Sequence, residues 1–176
     1  LATDRLANLM TQYADIIRLG VFGHTHSDEI HLLEPESKPD AGPGRGVAIK
    51  VVPSTTPRGH DSAFIVAQVN PVSAVLMNYT VVAANGDAGA DTTWSTEYVF
   101  RQAYKKAEFT PTTVRALIAE FAADPEAKTE ASQLYIRSIR PGKSSSILQA
   151  FWPQYVCAIS NASAEGYTAC ACPASE

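Results

Sequence analysis

Two histidines stand one residue apart in the run Val21-Phe22-Gly23-His24-Thr25-His26. Imidazole is a common ligand for zinc and iron, and carboxylates complete such sites. In an extended segment residues i and i+2 share a side. The spacing therefore predicts that His24 and His26 aim both rings into one cleft, with Thr25 turned away. Gly23 gives the backbone freedom where the strand breaks off. A catalytic metal needs about three protein ligands, so the pair is less than a whole site. The same residues admit two other readings. The histidines could be hydrogen-bonded structural residues of a binding or structural module that holds no metal. Alternatively, His24 could act alone as a general acid or base, a chemistry that survives a chelator. Asp28 and Glu29 are candidates to orient metal ligands, although charged residues on a strand of mixed polarity are ordinarily solvated.

The elements that must position these histidines are legible from periodicity. Residues 4–18 place Leu6, Leu9, Met10, Tyr13, Ile16 and Ile17 on one helical face, with Thr3 or Asp4 as the cap. Residues 19–23 read as a short buried strand that delivers the histidines, and 29–33 as another. Residues 34–46 hold Pro35, Pro39 and Pro43 and read as a loop. Residues 47–52 form an apolar strand ending at Pro53. Ser54, Thr55 and Thr56 offer hydroxyls to a phosphate, though such turns usually serve their own backbone. Residues 63–69 and 73–84 read as a hairpin around Asn70-Pro71, and 85–91 as a turn. Residues 95–102 fit neither period. Thr110-Pro111 opens a helix that Asp124-Pro125 stops, and a second helix runs from about 128 to 139, before Pro141-Gly142. The fold class expected is mixed, α/β or α+β: a β-rich part over 1–106 and a helical part with a cysteine-bearing tail over 107–176.

Composition narrows the functions. The chain has 176 residues, 45% of them hydrophobic, and a net charge of −4. That is enough for one domain, and the acidic balance argues against a nucleic-acid surface. No apolar run reaches the roughly 18 residues of a membrane span. The sequence begins without methionine and enters a helix at once, so a piece of a longer polypeptide is expected. The first helix and strand would then bury their apolar faces against layers contributed by the rest, and alone they would expose that surface. The cysteines are Cys157, Cys170 and Cys172. Their clustering fits a disulfide in an oxidising compartment. Cys157 with Cys170 is the preferred pair, and Cys157 with Cys172 is the alternative. The sequons at Asn78 and Asn161 agree with a secreted glycoprotein.

The order of these words resembles a known family. The helix, the strand, Gly23-His24-Thr25-His26-Ser27-Asp28-Glu29, then Pro53-Ser54-Thr55-Thr56-Pro57 and the strand from Phe64 to Asn70 are similar to the calcineurin-like metallophosphoesterases. Among these they look most like the acid sphingomyelinase-like phosphodiesterases, a secreted and lysosomal branch. The resemblance covers nearly the whole chain. It is specific at 23–29 and 53–57 and looser beyond residue 90. It implies the C-terminal part of a four-layer β-sandwich followed by a helical region. His24 and His26 would each bind one metal of a dinuclear centre, zinc in the first instance, with iron or manganese as alternatives. Two such ions about 3.5–4 Å apart clamp a phosphoryl oxygen and lower the pKa of a bridging water. The implied substrate is a phosphodiester or nucleotide-type phosphoanhydride, lipid phosphodiesters included. The remaining ligands would come from the N-terminal part of the same protein, so this piece alone should be inactive. The resemblance assigns no ligand to His31 or His60. It also departs at His60-Asp61-Ser62-Ala63, where the family has an Asn-Pro-Gly-like turn.

Overall fold

The computed structural model describes residues 2–35, 45–56, 59–85 and 90–172. Most of the expected loop 34–46, Pro57 of the Pro53–Pro57 run, and most of the turn at 85–91 lie outside the described residues. The described chain is mixed α/β, with two separate three-stranded sheets and helices around them.

The first sheet has the order β1-β3-β2. Its central strand β3, Val47–Val51, is buried at every position. One edge, β1 (Gly20–Phe22), pairs with it in parallel, and the other, β2 (Glu29–Leu33), antiparallel. Alternation divides the two faces. Val47, Ile49, Val51 and Leu33 join Met10 and Ala14, next to helix α1 (Ala2–Gln12). Ile30, Leu32 and Ala48 face the main core. Helix α1 begins before Thr3 and stops well short of residue 18. The Thr11 hydroxyl bonds back to the carbonyls of Ala7 and Asn8, and the amide of Ala14 reaches only to Thr11. Such back-bonding loosens a helix end.

The second sheet is an antiparallel meander of β4 (Ala63–Val69), β5 (Leu76–Ala84) and β6 (Trp94–Val99). The ambiguous stretch 95–102 is split: β6 takes its first part and the short helix α2 (Phe100–Ala103) the rest. Tyr79 of β5 stacks on Phe100 and meets Tyr98 and Phe109 edge to face. From there the aromatic chain runs through Tyr104 and Phe121 to Tyr135 and Trp152. Aromatic pairs in this geometry add about 0.5–1.5 kcal/mol each beyond their buried area.

Helix α3 (Pro111–Ala122) starts on a capping box between Thr110 and Thr113, with proline at its first turn. Helix α4 (Glu130–Ser138) is capped by Thr129. The tail folds into α5 (Ser146–Ala150), α6 (Trp152–Ser160) and α7 (Ala164–Ala171). Cys157 and Cys170 form a disulfide that ties α6 to α7, and Cys172 is an exposed free thiol. Asn161 Nδ2 donates to the Cys157 carbonyl, and Asn78 Oδ1 accepts from the Arg101 amide. No helix among the described residues is long and apolar enough to cross a membrane.

The two sheets meet around a buried ion pair. Lys50 sits on the same face of β3 as Ala48 and is fully buried. Its ammonium contacts the carboxylate of Asp28, donates to the carbonyls of Glu29 and Val51, and lies 5.2 Å from the Tyr79 ring centre. The hydroxyl of Tyr98, from β6, donates to the other Asp28 oxygen at 2.5 Å. Removing one partner from such a pair strands a buried charge and costs about 3–5 kcal/mol. Asp28→Ala is therefore expected to lower the unfolding free energy by about that amount in urea denaturation. The double variant Asp28→Leu with Lys50→Met should lose clearly less. Equal losses in the two variants would mean that packing, not the stranded charge, sets the cost.

Candidate functional site

Because β1 and β3 are parallel neighbours, their carboxyl ends lie side by side. Phe22 is opposite Val51, and the Val52 amide donates to the Phe22 carbonyl at 2.8 Å. Two loops leave from this edge, 23–28 and 52–62. Ligand sites of open α/β sheets gather at the carboxyl ends of their strands.

The first loop is not extended. The strand ends at Phe22, and His24 and His26 have φ of 89° and 61°. The expectation that i and i+2 share the side of a strand is therefore corrected. The topology gives the reason. β1 and β2 flank β3 on opposite sides, so residues 23–28 must cross the end of β3 and reverse direction. A straight continuation cannot do this. Non-glycine residues are uncommon at positive φ, and each costs on the order of 1–3 kcal/mol. The delivering strand is also more open than expected, with Val21 and Phe22 both exposed.

The far end of the loop is fixed. The Asp28 amide donates to the Ile139 carbonyl at 2.8 Å, and the Asp28 side chain is buried with Lys50 and Tyr98. Burial pulls the Lys50 ammonium well below its usual range; an opposite charge in contact favours the charged form, and the Asp28 carboxylate is in that position. Glu29 is 3.0 Å from Nε2 of His31. Burial pushes the Glu29 carboxyl up, but the bond and charge of His31 and the hydroxyls of Thr25 and Ser27 outweigh it and hold Glu29 below its ordinary value. Asp28 and Glu29 are thus internal supports of the loop, not solvated charges. His31 is occupied on β2 and does not join the histidine pair.

The second loop folds on itself. The Ser62 hydroxyl donates to the Thr55 carbonyl, the Thr56 amide to Ser54 Oγ, and the Ala63 amide to the Ser54 carbonyl. These hydroxyls serve the backbone. From behind, the Asp61 amide donates to the Pro141 carbonyl. Gly142, at φ 72°, is crowded by the Asp61 carboxylate where a side chain would sit, so only glycine fits. Glu97 of β6 accepts from the Gly142 amide through one oxygen, and its other oxygen is buried without a partner. Burial, with the charge of Asp61 nearby, raises the Glu97 carboxyl to about 7, against the amide bond that lowers it.

The two loops bring His26 and His60 together, with ring centres 6.2 Å apart and planes at 82°. His24 is exposed at the loop surface. His60 is only 6% exposed, and its Nδ1 lies 2.8 Å from the Asp61 carbonyl. A carbonyl oxygen only accepts, so Nδ1 carries a proton, and in the neutral ring Nε2 is the acceptor. Nε2 of His60 and Nδ1 of His26 are both buried without a partner. Among the described residues no group of three or more His, Cys, Asp or Glu side chains is placed to hold a metal. The family resemblance assigns no ligand at His60, and nothing local in the sequence pairs it with His26; the parallel pairing of β1 with β3 supplies the proximity. A cleft of about 650 Å³ borders the first loop, between Ser27 and Glu29 on one side and Arg140, Phe151 and Tyr155 on the other.

No protein-family model matches the chain. It is 24% identical over 177 residues to the mouse cyclic GMP-AMP phosphodiesterase SMPDL3A. The chain is a distant relative of that enzyme. The similarity spans 95% of this chain and 38% of the length of the mouse protein, and it agrees with the resemblance carried by the motifs. The whole-length relative thus has a large part with no counterpart in these residues.

Two measurements test the strain and the electrostatics. At φ 89°, glycine removes a Cβ penalty that alanine retains. His24→Gly should therefore exceed His24→Ala in stability by about 1 kcal/mol in thermal or urea unfolding. Equal stabilities would place His24 in an ordinary conformation. Glu97 is raised from 4.5 to about 7 on folding. Its stabilising proton is fully held below the unfolded value and is lost as pH rises through the window to about 7. The melting temperature should fall across that window, and Glu97→Gln should remove this part of the fall. A pH profile unchanged by Glu97→Gln would refute the raised value.

Proposed function

We propose that this chain is the C-terminal part of a metal-dependent phosphodiester hydrolase of the acid sphingomyelinase-like kind. In this reading the β-rich part, 1–106, completes a four-layer sandwich with the N-terminal part of the same protein, and residues 107–176 form its helical region. The observation that carries the reading is the similarity, over 95% of the chain, to an enzyme named as a phosphodiesterase. The strained histidine loop at the carboxyl ends of two parallel strands supports it. So does the apolar surface that α1, the turn after it and β1 leave open: Leu6, Leu9, Tyr13, Ile16, Val21 and Phe22 are all exposed. That face fits the missing layers of a longer polypeptide.

The donor set suits such a site. His24 and His26 are the ligands this chain contributes, one to each ion of a dinuclear centre, with zinc the first candidate and iron or manganese the others. The orphaned Nδ1 of His26, buried and without a hydrogen bond, is the kind of group that a metal would satisfy. When bound, the ions would supply polarisation of a phosphoryl oxygen and a water acidic enough to attack phosphorus at neutral pH. The chain itself holds the loop through Asp28, Lys50 and Tyr98, and keeps Thr25 and Ser27 in place through Glu29. The cleft between Ser27 and Tyr155 is on the path of the substrate, a phosphodiester or nucleotide-type phosphoanhydride with lipid phosphodiesters included. The disulfide between Cys157 and Cys170 agrees with a secreted or lysosomal location.

The test is metal content and hydrolysis of bis(4-nitrophenyl) phosphate by the intact polypeptide. Loss of an outer-shell partner costs metal sites about 10–100-fold, and loss of a ligand should cost more. His24→Ala and His26→Ala are each expected to lose metal and to lower hydrolysis by more than about 100-fold. A chelator should abolish activity and zinc restore it. Full metal content in both variants would leave the histidines as structural residues of a non-catalytic module. Activity that persists in chelator would point to acid–base chemistry without metal.

A further inference from the structure

We propose that His60 is a metal-directed imidazole of this site, its Nε2 joining His26 on one divalent cation of the zinc class. The inference rests on the metal reading of His26 given above and adds a ligand from the second loop. Four observations carry it. His60 is more than nine-tenths buried, so solvent does not satisfy its ring. Its Nδ1 proton is committed to the Asp61 carbonyl at 2.8 Å, which in the neutral ring leaves Nε2 as the acceptor. That Nε2 has no partner, and neither has Nδ1 of His26. The two rings meet edge to face at 6.2 Å.

Each part has a chemical consequence. A buried polar nitrogen left without a hydrogen-bond partner costs about 1–3 kcal/mol, so two in adjoining rings are an unexplained expense unless something binds there. Histidines that ligate metals almost always donate their other ring N–H to a carbonyl, carboxylate or water, which fixes the tautomer and the ring plane. The Asp61 carbonyl does this for His60. Zinc–imidazole bonds of about 2.0–2.1 Å put the centres of two rings on one tetrahedral ion roughly 5 Å apart. The observed separation needs an adjustment of about 1 Å, within the reach of small ring rotations on loops. The loop that carries His60 is held from behind by Pro141 and Gly142, so the ring is placed before any ion arrives. Position matters too. His26 and His60 follow the carboxyl ends of neighbouring parallel strands, and this topology alone brings them together.

The experiment is a zinc titration of the intact polypeptide, followed by long-range ¹H–¹⁵N spectra of its imidazoles and by metal analysis of variants. On adding zinc, Nε2 of His60 is expected to leave the range of an unprotonated, uncoordinated nitrogen for that of a metal-bound one. His60→Ala should weaken zinc binding by about 10-fold or more. Because misfolding of His60→Ala would also weaken binding, the spectrum of the unsubstituted protein is the deciding readout. A His60 Nε2 signal that stays unmoved while His26→Ala abolishes zinc binding overturns the role of His60 and leaves the metal site intact. Zinc binding that is indifferent to both His26→Ala and His60→Ala overturns both readings together.

Discussion

The structure depends on one buried contact, the ammonium of Lys50 against the carboxylate of Asp28. Lysine is rarely fully buried, and here it lies in the middle of a central strand with every neighbouring position also enclosed. Its partners explain why this is tolerated. Asp28 neutralises it, two carbonyls take its remaining protons, and the Tyr79 ring stands beside it. Tyr98 takes the second oxygen of Asp28. The contact therefore joins β3 and the start of β2 in one sheet to β5 and β6 in the other. Apolar packing could hold two sheets at many offsets. A charge that must find its counter-ion allows few, and it fixes where the loop before Asp28 ends.

That end-point governs the histidines. The loop leaves β1, crosses the end of β3 and must arrive at Asp28 with its carboxylate already inside the core. Six residues, 23–28, make the crossing, and the positive φ angles at His24 and His26 follow from so short a path. Backbone strain of this kind persists where the surroundings over-determine it. Here the Ile139 carbonyl, Lys50, Tyr98 and the Glu29 interactions supply that determination. The helical region is thus part of the support, since α4 leads into Ile139 and Tyr135 receives the Ile30 amide. A substitution in the helices that shifts Ile139 would move the histidine loop without touching it.

Much of this was legible in the residues, and the parts that were not have physical causes. Strands 29–33 and 63–69 match the structure end for end because alternation in the first and a short apolar run in the second are local signals. Helix α3 was visible from Thr110 and Pro111, whose roles at a helix start are also local. The first helix was read too long, since Ile16 and Ile17 keep its period while the Thr11 hydroxyl competes for its carbonyls. Type and spacing single out the histidines as candidates, but they predict the wrong backbone geometry. Spacing reports only on an extended chain, and the crossing of β3 is a fact of topology. Asp28 and Glu29 were misread as solvated for the same reason: their partners are Lys50 at a distance in sequence, Tyr98 at a greater one, and hydroxyls that only a turn brings near. His60 carried no sequence signal at all.

α1 and β1 present apolar residues to solvent at one edge of the first sheet, and β1 has a free edge among the described residues. Unpaired strand edges and contiguous apolar patches are avoided in proteins that stand alone. The histidine loop springs from this same strand. On the proposed reading, an N-terminal part of the same protein that covered this edge would also lie near the loop and could bring ligands to it. On the proposed metal reading this arrangement accounts for the shortage of ligands among the described residues: the histidine loop is braced by the core at Asp28, and the strand it springs from is an open edge.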